Sequence, residues 1–162
     1  MKQLQRLAIV LVVLVLATCV VIGCAACTQD KTYLDTKGTA VILVKAAEDG
    51  AAPQKYEVNL AKVSGDEGLV SVLDYLKKTK DLAYTMESSE FGAFLTQVNS
   101  IAQDATKGEY LYVYTTVQED YDVSAYASNV TVDGITFTNS GVGASTMHIK
   151  DGSTIYIGIV KW

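Results

Sequence analysis

The chain has little of the residue types that build catalytic and metal sites. Its 162 residues include one histidine and three cysteines, and all three cysteines lie within the first 27 residues. A serine–histidine triad would have to use His148, and no nucleophile elbow surrounds a serine near it. A redox or zinc site at Cys24 and Cys27 would need a βαβ frame or a second pair of ligands, and the sequence supplies neither. We therefore expect a non-enzymatic protein whose body folds without disulfides.

Basic residues are also scarce. The chain has 13 lysines and arginines against 18 aspartates and glutamates, a formal net charge of −5. Residues 1–23 contain Lys2 and Arg6 but no acid, so the remainder carries a net charge of −7. Such a surface repels nucleic-acid backbones and anionic lipid head groups. We expect no nucleic-acid partner.

Long apolar runs are absent apart from one, at residues 7–22. As a helix those 16 residues would rise about 24 Å, less than the roughly 30 Å of a bilayer's hydrocarbon core. Lys2 and Arg6 precede the run and small residues end it, which is the pattern of a secretory signal. An uncleaved anchor with the same outward-facing topology is the alternative.

The end of this run reads VIGC, residues 21–24, and resembles the lipobox of bacterial lipoproteins. The resemblance implies cleavage between Gly23 and Cys24 and lipidation of the Cys24 thiol. The protein would then be held at the extracellular face of the cell membrane, and two or more acyl chains would hold it firmly. The predicted organisation is a signal peptide at 1–23, a lipidated tether at 24–38 and a body at 39–162.

The body alternates short strand patterns with one helix pattern. Leu69, Val72, Leu73 and Leu76 recur at the spacing of one helix face. Strands are predicted at 39–46, 55–63, 83–87, 93–102, 108–117, 129–140 (with a turn at Asp133–Gly134) and 151–162. This order predicts an α+β domain with one main helix on a mixed β-sheet, in a β-grasp-like arrangement.

The segment EYLYVYTT places three tyrosines at alternate positions of one predicted strand. Tyr110, Tyr112 and Tyr114 therefore project from one face, where they could stack on a flat ligand or a sugar. The alternative is a half-buried strand whose tyrosines pack against neighbouring strands.

The segment QEDYDV places Glu119, Asp120 and Asp122 within four residues. Clustered carboxylates can bind calcium, which takes six to eight oxygen ligands, although no EF-hand spacing is present. The alternative is a solvated acidic loop.

Four blocks of the body resemble the transcobalamin-like C-terminal domain of exported Gram-positive proteins, which is also similar to the smaller domain of animal cobalamin carriers. The blocks are GLVSVLDYLKK (68–78), FGAFLTQVNSIA (91–102), GEYLYVYTT (108–116) and GVGASTMHIKDGSTIYI (141–157). The chain departs from the family pattern at Leu111, where tryptophan is usual, and at Ser100, where glycine is usual. The resemblance implies a cell-surface domain and a corrinoid ligand.

Three functions fit these observations. The first is a surface lipoprotein that binds an extracellular small molecule, such as a corrinoid or a glycan, through Tyr110, Tyr112 and Tyr114. The second is a structural or adhesive module that docks to a cell-wall polymer or a protein partner. The third is divalent-metal binding at residues 119–122.

Overall fold

The protein is described by a computed structural model over residues 32–89 and 92–162. The predicted signal peptide, its cleavage point at Gly23–Cys24 and the lipidation site lie outside the described residues. In chain order the elements are β1 (Thr39–Val44), β2 (Gln54–Asn59), α1 (Gly68–Lys80), β3 (Tyr84–Ser89), β4 (Gly92–Val98), β5 (Ile101–Ala102), β6 (Glu109–Thr115), β7 (Asn129–Val132), β8 (Ile135–Asn139) and β9 (Thr154–Lys161). Short 3₁₀ turns lie at Leu60–Lys62, Ala105–Lys107 and Gln118–Asp120.

Six strands form one mixed sheet in the order β2-β1-β9-β6-β8-β7. β1 runs antiparallel to β2 and parallel to β9, and β9 runs antiparallel to β6. The antiparallel partner of β1 is the next strand in the chain, and its parallel partner is the last strand of the described chain. The fold is therefore α+β with a mixed sheet, as predicted, and α1 is the single α-helix among the described residues.

The helix packs its apolar stripe against one face of this sheet. The four leucine and valine positions that predicted the helix are all fully buried: Leu69, Val72, Leu73 and Leu76. They share a core with inward-facing residues of two adjacent strands, namely Ile42 and Val44 of β1 and Ile155 and Ile157 of β9. Burial of each such side chain contributes about 1.5–3 kcal/mol. Among the described residues no helix is long and apolar enough to span a bilayer.

The predicted strand at 93–102 is in fact two strands of a separate sheet. β3, β4 and β5 form this three-stranded sheet in that order. Asn99, with φ of 51°, turns the chain between β4 and β5. Its side-chain oxygen accepts from Ala83 N and its own N–H donates to Ala83 O. Asparagine tolerates this left-handed conformation, so a turn can form here without glycine or proline. The apolar residues on both sides of the turn therefore read as one strand in the sequence.

The Asp133–Gly134 turn between β7 and β8 is confirmed. Both residues have positive φ, 51° and 79°, as a two-residue type I′ hairpin turn requires. The strands it joins are shorter than the single predicted segment, with Val132 opposite Ile135 beside the turn.

Residues 32–38, which belong to the predicted tether, contact the body. Leu34 is buried and forms a parallel bridge with Ile149. Asp35 N donates to Ile149 O, and Ile149 N donates to Tyr33 O. The compact unit accordingly starts at Thr32 and ends at Trp162.

Candidate ligand-binding cleft

Strand β6 is paired along its whole length on one side, by β9. The hydrogen bonds from Trp162 N to Gly108 O and from Thr116 N to Thr154 O show which residues of β6 bond to β9. Even-numbered residues of β6 bond to β9, so the odd-numbered residues direct their N–H and C=O groups to the other side.

The other side of β6 is paired only at its two ends. Glu109 exchanges both backbone hydrogen bonds with Asp104, and Val113 O accepts from Ser140 N at 2.9 Å. β8 pairs only with the last two residues of β6. Within the described ranges 32–89 and 92–162, the N–H and C=O of Leu111 and the N–H of Val113 consequently have no backbone partner.

The outer edge of β4 faces the same space. β5 pairs only with the last two residues of β4. Farther along this edge, Thr96 O accepts from Gln103 N and Ala93 O accepts from Ala144 N. The two sheets therefore diverge from the turn that joins β5 to β6, and the segment 139–144 bridges their far ends.

An open cleft of about 520 Å³ fills this divergence. Its walls are mainly apolar and include Ala93, Leu95, Leu111, Val113 and Ala144. At its rim Phe94 is 48% exposed, and Tyr110 and Val142 are each 38% exposed. An apolar cleft of this size with a few fixed polar groups is the usual form of a small-ligand site.

The charge of the cleft is negative. Glu87 and Asp122 are its ionisable carboxylates, and no lysine, arginine or histidine is among the described residues that line it. The Ser124 backbone N–H donates to Asp122 at 2.8 Å, and Asn139 Nδ2 donates to it at 3.0 Å. Ser124 and then Asn139 thereby lower the pKa of Asp122. The cleft suits neutral or cationic ligands.

The three tyrosines of β6 share one face, as their spacing predicted, but they differ in accessibility. This face lies opposite the helix and bears a second cluster that includes Phe137 and Tyr156. Tyr114 is only 5% exposed, with its ring 6.0 Å from that of Tyr156. Tyr112 is half-buried between Tyr114 and Trp162. Burial leaves Tyr110 and part of Tyr112 within reach of a ligand, and Tyr114 packs against its neighbours.

The predicted metal carboxylates are all engaged by neighbouring donor groups. Glu119 Oε2 lies 2.8 Å from Lys150 Nζ, Asp120 is bonded to His148, and Asp122 is bonded as described above. The Lys150 contact lowers the pKa of Glu119. Across residues 32–89 and 92–162, no three acidic, histidine or cysteine side chains converge in a way that could hold a metal ion. Glu119 and Asp120 do come close, because Glu119 Oε1 lies 3.2 Å and Asp120 Oδ1 lies 2.7 Å from the same His148 Nδ1. Asp122 is bonded elsewhere, to Ser124 and Asn139.

The pair of Asp120 and His148 was not found from the sequence. Asp120 is 1% exposed; its Oδ2 accepts from His148 N at 2.6 Å and its Oδ1 contacts His148 Nδ1 at 2.7 Å. The Tyr33 ring lies 5.2 Å from the imidazole. Asp120 O also accepts from Gly141 N. The pair fastens the 3₁₀ turn at Gln118–Asp120 to His148, and the Gly141 bond fastens the same turn to the segment 139–144 at the far end of the cleft.

Comparison with known proteins supports the fold. No protein-family model and no curated protein matches the chain. The structure is similar to that of haptocorrin in complex with Cbi, with a TM-score of 0.50 and 15% identity. That likeness covers 77% of this chain but 25% of the haptocorrin chain. A candidate metal binding protein from Ruminococcus gnavus ATCC 29149 gives a TM-score of 0.48 at 13% identity, covering 78% of this chain and 99% of that one. At these identities the likeness to haptocorrin is one of fold, which the transcobalamin-like resemblance implied.

Proposed function

We propose that this protein is a lipid-anchored, non-catalytic ligand-binding module at the extracellular face of the cell membrane, and that its ligand occupies the cleft between β4 and β6. The observation that carries the proposal is the set of unpaired backbone groups at Leu111 and Val113, which face an apolar cleft of about 520 Å³. Backbone donors and acceptors that are left unpaired in apolar surroundings are costly, so a ligand that pairs with them is favoured.

The chemistry of the cleft defines the ligand class. A C=O acceptor and two N–H donors in a row match amide groups, which carry both a donor and an acceptor. Amide-substituted corrinoids and N-acetylated glycans both meet this requirement, and the haptocorrin structure of similar fold is a complex with Cbi. The two carboxylates at the cleft, Glu87 and Asp122, disfavour anionic ligands.

The anchor part of the proposal rests on residues 21–24. Replacing Cys24 by alanine should move the protein from the membrane fraction to the soluble or secreted fraction. Cys27→Ala is the matched control, because it removes a neighbouring thiol that the lipobox pattern does not use. Equal membrane retention of both variants would contradict lipidation at Cys24.

Ligand binding is tested by thermal unfolding of the purified full chain with cobinamide, cobalamin and soluble N-acetylated cell-wall glycans. A ligand present at 100 times its dissociation constant stabilises a fold by about 2.7 kcal/mol. Val142→Trp should fill the rim of the cleft and abolish the stabilisation. Val123→Trp is the control, since Val123 is 95% exposed and does not line the cleft.

Two results would overturn this assignment. One is a stabilising ligand that binds the Val142→Trp variant as well as the unchanged chain. The other is the absence of any stabilisation across the whole panel. The second result would favour a docking module, for which the other sheet face offers exposed aromatic surface at Tyr110 and at Trp162, 69% exposed.

A further inference from the structure

We infer that the cleft takes an extended, basic polypeptide segment, which adds as a strand to the free edge of β6. This inference rests on the proposed function, because it names the ligand class of the same cleft. The juxtaposition behind it is a stretch of unpaired strand edge between two paired ends. Apolar side chains wall it, and the charged side chains among its described lining residues are the two carboxylates Glu87 and Asp122.

The unpaired groups have the pattern of a strand waiting for a partner. Leu111 directs its N–H and its C=O to the same side, so one residue of an added strand could bond to both. The gap runs from Glu109, paired with Asp104, to Val113, whose C=O is paired with Ser140. At about 3.3 Å per residue these four steps span about 13 Å, which is the length of three to four residues of extended peptide.

An unpaired strand edge can bind a specific peptide, and it can also cause aggregation by pairing with another chain. Proteins usually protect an edge with charge, proline or a covering segment, because it will pair with another chain. The side chains at the β6 edge, Leu111 and Val113, are apolar and partly exposed instead. Addition of a strand supplies affinity through main-chain hydrogen bonds, and pockets for alternate side chains supply specificity. Here the walls at Leu95 and Ala144 would receive an apolar side chain, with Phe94 above it.

Charge distinguishes a foreign basic segment from a second copy of this chain. The chain without residues 1–23 carries a net charge of −7, so two copies repel each other. Glu87 and Asp122 border the cleft without a lysine or arginine among its described lining residues. Lysine or arginine in the added segment would meet these carboxylates, whereas a second acidic chain would bring more negative charge.

The first test compares three blocked five-residue peptides on the purified full chain by fluorescence anisotropy. One has the order Lys-Val-Thr-Val-Lys, the second has the same order with the three inner amides N-methylated, and the third has glutamate in place of lysine. N-methylation removes the donors while keeping the side chains. We expect the first peptide to bind and the second to bind at least tenfold more weakly. The third should also bind more weakly than the first, and the difference in affinity between these two should decrease as the salt concentration is raised.

The second test changes the protein at Leu111. Leu111→Pro removes an N–H that makes no hydrogen bond within the described structure, and proline is tolerated on such an edge. We expect peptide affinity to fall at least tenfold while the unfolding midpoint stays within a few degrees. Leu111→Val keeps the N–H and is the control. If Leu111→Pro fails to fold, the N-methylated peptide on the unchanged chain still decides the question.

The outcomes separate this inference from the proposed function. Equal affinity for the plain and N-methylated peptides, or a preference for the glutamate peptide, would overturn strand addition. Cobinamide or glycan binding that Val142→Trp abolishes, without any peptide binding, would leave the ligand-binding function standing and remove the peptide. Peptide binding that appears only after deletion of residues 25–31 would identify that stretch of the chain as the occupant and overturn a foreign segment. Absence of both ligand classes would overturn both proposals.

Discussion

Replacing Asp120 by alanine should destabilise the fold substantially, although Asp120 lies outside the main core. The side chain is 1% exposed and accepts from the backbone N–H of His148 and from its ring. Each hydrogen bond to a charged group contributes about 1.5–3 kcal/mol. Burial raises the pKa of Asp120, because the carboxylate loses solvation there, so desolvation offsets part of this gain. We therefore expect a loss near the lower end of the sum, about 3 kcal/mol.

Thermal and urea unfolding measured by circular dichroism would check this value. For a domain of this size, about 3 kcal/mol corresponds to a fall of roughly 10 °C in the unfolding midpoint. Asp120→Asn keeps one acceptor oxygen and should lose less. His148→Ala removes the imidazole but keeps the backbone N–H bond, so it too should cost less than Asp120→Ala. A fall below about 3 °C for Asp120→Ala, or a larger fall for His148→Ala, would refute this account of the pair.

Three further predictions concern the fold. Gly68→Ala should destabilise the protein more than Gly152→Ala. Both glycines have positive φ, but of the two only Gly68 would place a methyl group on a backbone oxygen. The Gly152 variant should lose about 1–2 kcal/mol of unfolding free energy, measured in urea. Leu73→Ala should cost about 3 kcal/mol in the same assay, because Leu73 is fully buried against the sheet. Burial, and then the hydrogen bond to Asp74, raise the pKa of Tyr84 to about 12. The neutral phenol therefore stabilises the fold fully below about pH 10 and progressively less from pH 10 to about 12, so Tyr84→Phe should flatten the fall of the unfolding midpoint over that range.

Local patterns predicted the elements that local forces determine. The helix follows from Leu69, Val72, Leu73 and Leu76 because their spacing alone defines an apolar stripe. The turn at Asp133–Gly134 follows from the backbone freedom of that dipeptide. The alternation of the β6 tyrosines placed them correctly on one face, but alternation does not tell which neighbours cover that face, and Tyr114 is buried by residues distant in the sequence.

The candidate cleft depends on backbone groups of β6 that have no partner strand, and no local sequence pattern indicates which groups these are. The edge of β6 is free at Leu111 because β8 meets only the end of the strand and β5 is short. The turn at Asn99 separates β4 from β5 and interrupts an apolar run that otherwise reads as one strand. The bond between Asp120 and His148 joins residues 28 positions apart, and neither residue carries a sequence signal for the other.

The position of β9 has a consequence for how the sheet is assembled during synthesis. β9 lies between β1 and β6, and it is the last of the nine described strands to be made. Until residues 154–161 emerge, β1 and β2 have no strand to join them to β6, β8 and β7. Contacts between such distant parts of a chain form slowly because a long loop must close first. The six-stranded sheet can therefore be completed only after the last described strand has been made.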